Sequence, residues 1–175
     1  MKKIISISLL LSVLLAGTGV YGQQDKSKRK SPPATVTQKI KSGATLTIEY
    51  SQPSVGGRTI GDNLEPKQGQ VWRMGANEAT TFEIDKPVKV NGQELAAGKY
   101  SVFGLQEGEK FSIMFNTEWK IWGTQYDANK EKTVLTIPAK LTKTETSQEL
   151  LTYTIDKDGT VKLLWGDRII EFKVS

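Results

Sequence analysis

The chain has 175 residues, with 24 Lys and Arg against 19 Asp and Glu, and it contains neither cysteine nor histidine. Without thiols there is no disulfide, thiolate nucleophile or thiolate metal site; without imidazole the usual general base near neutral pH and the commonest metal ligand are missing. A Ser-His-Asp hydrolase, a Cys-His protease and an imidazole-bound zinc hydrolase are therefore excluded.

Lys2 and Lys3 make a basic start, residues 4–15 form an apolar run, and Ala16-Gly17-Thr18-Gly19 relaxes into small residues. Charge, apolar core and small-residue exit are the three parts of a secretory signal. Val20-Tyr21-Gly22 supplies a cleavage triplet, which predicts a signal peptide over residues 1–22 and a periplasmic or extracellular product starting at Gln23. The competing reading is an uncleaved anchor, because residues 4–24 are uncharged and approach the roughly 20 positions a spanning helix needs. Ser6, Ser8, Ser12 and Thr18 dilute that stretch, and no membrane span is expected after cleavage.

Residues 23–33, with Lys26, Lys28, Arg29 and Lys30 ahead of Pro32 and Pro33, read as a flexible basic leader. Of the 24 basic residues, Lys2 and Lys3 go with the signal and four more lie in the leader, which leaves 18 against 19 acids in the rest. A nucleic-acid binder needs a basic face, so no nucleic-acid partner is expected.

From residue 34 onward, apolar residues recur at every second position between short turn signals, the mark of antiparallel β structure. A three-residue loop at Lys41-Ser42-Gly43 pairs Val36 with Ile48 and Gln38 with Leu46, and Asn91-Gly92 sets Val88 opposite Leu95. A four-residue loop over residues 106–109 would pair Gly104 with Phe111, Val102 with Ile113 and Tyr100 with Phe115. Residues 133–141 form a further strand, in which Pro138 marks an edge or a bulge. A loop at Lys157-Asp158-Gly159 pairs Ile155 with Val161, Tyr153 with Leu163 and Leu151 with Trp165, and a Gly166-Asp167 turn would then start a third strand of a meander. About eight to ten short strands with single apolar faces predict one all-β domain over residues 34–175, an antiparallel two-sheet sandwich or jelly roll, with a closed β-barrel as the alternative.

Two glycine-rich stretches depart from plain strands: Ser51-Gln52-Pro53-Ser54-Val55-Gly56-Gly57-Arg58, and Val71-Trp72-Arg73-Met74-Gly75-Ala76-Asn77-Glu78-Ala79-Thr80. Together with Ala97-Gly98-Lys99-Tyr100-Ser101-Val102-Phe103 and Trp122-Gly123-Thr124-Gln125-Tyr126-Asp127, they resemble, in this order, the exported bacterial family catalogued as domain of unknown function 2911. The resemblance covers roughly residues 33–174. It implies the β domain and export, and brings no activity with it.

Arg58, Asp62, Trp72, Arg73, Asn77 and Glu78 are the candidate ligand-binding residues. Guanidinium groups suit bidentate capture of a carboxylate or phosphate, and Trp72 could wall a sugar or a ring. The alternative is that Arg73 pairs with Glu78, or Arg58 with Asp62, as internal ion pairs tying loops to the sheet. Gly56, Gly57 and Gly75 read as turn residues, since no strand-to-helix step accompanies them. Trp119, Trp122 and Tyr126 form a second aromatic cluster, either an exposed sugar-stacking platform or core filling. For catalysis only the Glu78 and Asp62 carboxylates could be paired, and a glycosidase would need them about 5–9 Å apart. Asp156 and Asp158 fit a turn better than a calcium loop, and no metal or cofactor is expected. The sequence thus favours a non-catalytic exported module that binds a small polar ligand or envelope glycan, against a structural envelope protein or a carboxylate-dependent glycan hydrolase.

Overall fold

The computed structural model describes residues 25–175, so the expected signal over residues 1–22 lies outside the described residues. The strands are β1 (Pro33–Lys39), β2 (Thr45–Ser51), β3 (Val71–Trp72), β4 (Thr80–Ile84), β5 (Val88–Val90), β6 (Gln93–Leu95), β7 (Gly98–Glu107), β8 (Lys110–Asn116), β9 (Thr133–Ile155) and β10 (Thr160–Lys173). The fold is all-β and antiparallel. Strands β1, β2, β4, β7, β8, β9 and β10 follow one another across a curled sheet, with β3 paired to β7, and β5–β6 make a small second sheet. This half-barrel with a second sheet falls within the expected sandwich class. Among the described residues no helix is long and apolar enough to cross a membrane.

The alternating pattern decides most registers. Val36 faces Ile48, Gln38 faces Leu46, Val88 faces Leu95, Ile155 faces Val161 and Tyr153 faces Leu163, all as the loop lengths dictate. Two expected registers are corrected. The β7–β8 hairpin closes on Gly108-Glu109, so Gly104 faces Ile113 and Val102 faces Phe115. Gly108, at φ +63°, supplies the left-handed residue that a two-residue turn needs. The slip is by two positions, so every side chain keeps its face.

The turn expected at Gly166-Asp167 does not form. Strand β10 runs through it and keeps β9 as its partner, with Arg168 opposite Lys143 and Ile170 opposite Leu141. The register shifts on both sides of Gly166, breaking the ladder before the expected Leu151–Trp165 pair. A Cβ on Gly166 would lie 2.4 Å from Ile60 Cδ1, so the glycine lets the strand bend against Ile60 where a turn was expected.

Strand β9 therefore belongs to both walls. Its first part pairs with β8, its remainder with β10, and near residue 150 it also meets the chain that leaves β2. Val55 N–H donates to Glu149 O at 2.8 Å and Leu151 N–H to Pro53 O at 3.0 Å. Between the walls, Phe82 of β4, Phe115 of β8 and Phe172 of β10 form a three-ring cluster with centroids 5.4 to 6.3 Å apart. Each such ring contributes about 1.5–3 kcal/mol through burial. A smaller apolar cluster lies on the opposite face of β7 and β8, where Phe103 and Met114 are covered by Ile121 and Tyr126. That cover holds the aromatic segment 117–132 against the sheet beside the candidate site.

Candidate functional site

The site is built where three irregular segments meet on the outer face of β1, β2, β4 and β7. Thr35, Glu49 and Thr81 stand abreast on adjacent strands, with the Lys99–Glu83 pair beside them. The loop of residues 73–79 crosses this face with two non-glycine residues in left-handed conformation, Met74 at φ +51° and Asn77 at φ +59°. Such residues persist only where their surroundings hold them. Here the Tyr153 hydroxyl and Thr80 Oγ1 both donate to Met74 O, at 2.9 and 3.1 Å.

Beyond Asn77 the loop zips antiparallel to the aromatic segment. Ala79 N–H donates to Ile121 O and Gly123 N–H to Asn77 O, each at 3.1 Å. This pairing brings Glu78 beside Trp122 and so joins the two stretches that the sequence singled out separately. The basic leader completes the arrangement. Arg29 Nη1 donates to Glu78 Oε1 and Oε2 at 3.0 and 2.8 Å, Lys26 Nζ lies 3.0 Å from Oε1, and Asn77 Nδ2 donates to Ser31 O at 3.0 Å.

A cavity lies on each side of the leader. The larger, about 530 Å³, is lined by Trp119 and Trp122 and rimmed by Lys26, Arg29, Lys99 and Lys120 against Glu49 and Glu78. Trp119 is 37% exposed and Trp122 43%, which is high for tryptophan. Lys99 and Lys120 lie 5.0 and 5.5 Å from the centre of the Trp119 ring, within cation–π range. The smaller cavity, about 260 Å³, is lined by Lys30, Arg58, Glu65, Trp72, Arg73 and Trp165, among others.

The acids of the larger cavity are held ionised. Burial pushes the Glu78 carboxyl up, but bonds from Lys26, its own backbone N–H and Arg29, with the Lys26 charge, outweigh that and bring it down to about 2. A hydrogen bond from Lys99 keeps Glu49 below its ordinary value against burial, and Lys99, which burial alone would lower, is raised by Glu49 and Glu83. A glycosidase needs one carboxyl kept protonated near neutrality, and these two are driven the other way.

Residues 31–174 match the family described as "Protein of unknown function (DUF2911)". The chain belongs to that family. Comparisons with curated proteins and with solved structures found no match. The DUF2911 span contains both tryptophans, Glu78 and Arg73, and begins at Ser31, the residue that receives the Asn77 amide. Lys26 and Arg29 lie just ahead of it.

The sequence-derived candidates in this DUF2911 chain fall into three groups. Glu78 is brought together with Trp119 and Trp122 in the larger cavity, while Asn77 beside it lines the smaller one. Arg58, Trp72 and Arg73 line the smaller cavity, where Trp72 is a buried wall whose Nε1 donates to Gly75 O at 3.3 Å. Asp62 and Tyr126 line neither cavity. Asp62 sits exposed on a turn; Tyr126 packs on Phe103, centroids 4.8 Å apart, with its hydroxyl 3.1 Å from Met114 Sδ.

Neither expected internal ion pair forms. Arg73 Nη1 donates to Asn77 O at 2.7 Å, and Arg58 donates to the carbonyls of Val55 and Ser54. Lys26, Arg29, Glu49, Lys99 and Lys120 escaped the sequence reading. Lys99 and Glu49 look like ordinary outward positions of amphipathic strands, and the leader's charges look like solubilising ones. Only the tertiary pairing reveals them.

Proposed function

We propose that this protein is a non-catalytic exported binding module whose larger cavity takes a small polar ligand, an envelope glycan foremost. The observation that carries this reading is the pair of half-exposed indoles, Trp119 and Trp122, set in one cavity with charged groups of both signs around it. Binding sites of this size combine apolar walls with a few placed polar groups. An indole offers a flat apolar face to the C–H face of a sugar ring, while Lys120, Glu49 and the Lys26–Glu78 pair stand ready for hydroxyls and amides. The volume suits a ligand of one or a few sugar rings and not a macromolecular interface.

Export remains part of the proposal and rests on the tripartite pattern of residues 1–22. Amino-terminal sequencing of the protein from its native host should read from Gln23; a chain starting at Met1 in the membrane fraction would contradict it.

Thermal-shift screening of the protein against a panel of neutral and charged glycans tests the binding reading, since any ligand of the native state raises the melting temperature. A hit should be lost in Trp122→Ala while the unliganded melting point stays close to wild type, because the ring is on the surface. A panel without a single concentration-dependent shift, or a hit untouched by both Trp119→Ala and Trp122→Ala, would remove the cavity from consideration.

A further inference from the structure

The smaller cavity has a different chemistry. Three of its lining side chains, Lys30, Arg58 and Arg73, are cationic, and Glu65 is the one acid among its lining residues. Glu65 is turned to other duty, its Oε2 accepting the Lys67 amide at 3.0 Å. Among the described residues, Lys30, Arg58 and Arg73 make no ion pair.

The donors are held in place and are incompletely used. Arg73 spends one bond on Asn77 O, and its stem is pressed onto the face of Gly123, where a Cβ would come within 2.2 Å of Arg73 Cδ. Arg58 spends Nε and Nη2 on the carbonyls of Val55 and Ser54. A guanidinium carries five N–H donors, so both keep some to offer. Burial pulls the Arg73 guanidinium below its ordinary value, and the Glu65 charge only partly opposes this. A half-buried cation whose burial a neighbouring acid only partly offsets is a cost to the fold that an anion would relieve.

Size narrows the ligand. At about 260 Å³ the cavity falls below the usual range for a whole drug-sized molecule, but holds an acidic group with a small body attached. Trp72 and Trp165, both buried, form its inner wall.

We propose that this cavity is an oxyanion site in which Arg73 and Arg58 grip a carboxylate or phosphate group of a small ligand, with Lys30 adding charge from the leader. The site lies across the leader from the tryptophan cavity and does not depend on what that cavity binds.

The test is isothermal titration of the full chain with inorganic phosphate and, separately, with sodium glucuronate, at constant ionic strength held with chloride. At least one anion should saturate with a stoichiometry of one. Arg73→Gln should weaken that anion by about tenfold or more, the scale of a lost charge-assisted bond, while Trp122→Ala binds it as wild type does. Saturation by phosphate alone assigns a phosphate-bearing ligand, and by glucuronate alone a carboxylate-bearing one. If Arg73→Gln fails to fold by circular dichroism, Arg58→Gln, on an exposed side chain, takes its place with the same expectation. Failure of both anions to saturate on the wild-type protein, or equal affinity in the arginine variants, would overturn the proposal.

Discussion

Arg29 and Glu78 are 49 residues apart in the chain, yet a single guanidinium nitrogen of Arg29 donates to both oxygens of the Glu78 carboxylate. Lys26 adds a second cation to the same carboxylate. This contact lays the leader over the loop of residues 73–79, and leader residues line both cavities. Composition marks the leader as flexible and solvated. In the structure Lys26, Arg29 and Ser31 meet Glu78 and Asn77.

The contact should respond to acid with a defined sign. The folded Glu78 carboxyl is depressed from 4.5 to about 2, so its contribution is fully present above pH 4.5 and fades as pH falls through about 2. Amide NMR shifts of Arg29 and Ser31 should stay constant from neutral pH down to about 4.5 and move below it. In Glu78→Gln, trypsin should cut the leader about fivefold faster, as befits a part-exposed pair contributing about 1 kcal/mol. Unchanged cleavage would mean that the leader is held by other contacts.

Gly123→Ala should disturb the smaller cavity through Arg73. The added Cβ would meet Arg73 Cδ, Nε and Cβ at 2.2, 2.6 and 2.8 Å, so the whole arginine stem must move. Overpacking of this kind costs about 1–3 kcal/mol. Chemical denaturation should show a loss in that range, and a midpoint equal to wild type would show that the loop relaxes freely.

Tyr153→Phe tests what holds the left-handed Met74. Its hydroxyl is one of two donors to Met74 O, and Thr80 Oγ1 remains in the variant. The loss should be about 0.5–1.5 kcal/mol, one neutral hydrogen bond, with the fold retained. The double variant Tyr153→Phe with Thr80→Val should exceed the sum of the two singles, because Met74 O is then left buried and unpaired.

Arg168 anchors the other irregular segment, residues 59–68. Its Nη1 donates to Gln106 Oε1 at 2.6 Å and its Nη2 to Ile60 O at 3.3 Å, from a largely buried position. Nε lacks a hydrogen bond even though Asp167 Oδ1 is 3.6 Å away; we take that contact as a weak charge interaction, since its length exceeds hydrogen-bond range. Arg168→Lys keeps the charge but cannot span both acceptors, and should lower stability by about 2 kcal/mol. A urea midpoint unchanged in this variant would show that the fork geometry is dispensable.

Much of the fold was legible because period-two patterning and loop length together fix which face each residue takes. Gln38 and Leu46, or Tyr153 and Leu163, needed no more than that. The β7–β8 register was missed because two hairpins differing by two residues bury the same side chains, and only the conformation of Gly108 separates them. The missed continuation of β10 has a similar cause: Gly166 suits a turn or a bend equally, and Ile60, over a hundred positions away, decides. In the site, Trp119, Trp122, Arg73 and Glu78 stood out by residue type. Their partners did not, since a surface lysine such as Lys99 has a role only once Glu49 and Trp119 are beside it.

Because β9 serves both walls and also receives the chain leaving β2, the domain has no seam along which one part could come away. Peeling β10 from β9 would bare Phe172 and unpack Phe82 and Phe115; freeing residues 53–55 would open the sheet at its far edge. The molecule should therefore melt as one cooperative unit, with calorimetric and van't Hoff enthalpies in agreement. Its refolding should be slow for its size, since closing the curled sheet joins residues nearly a hundred positions apart before the core can reward the search.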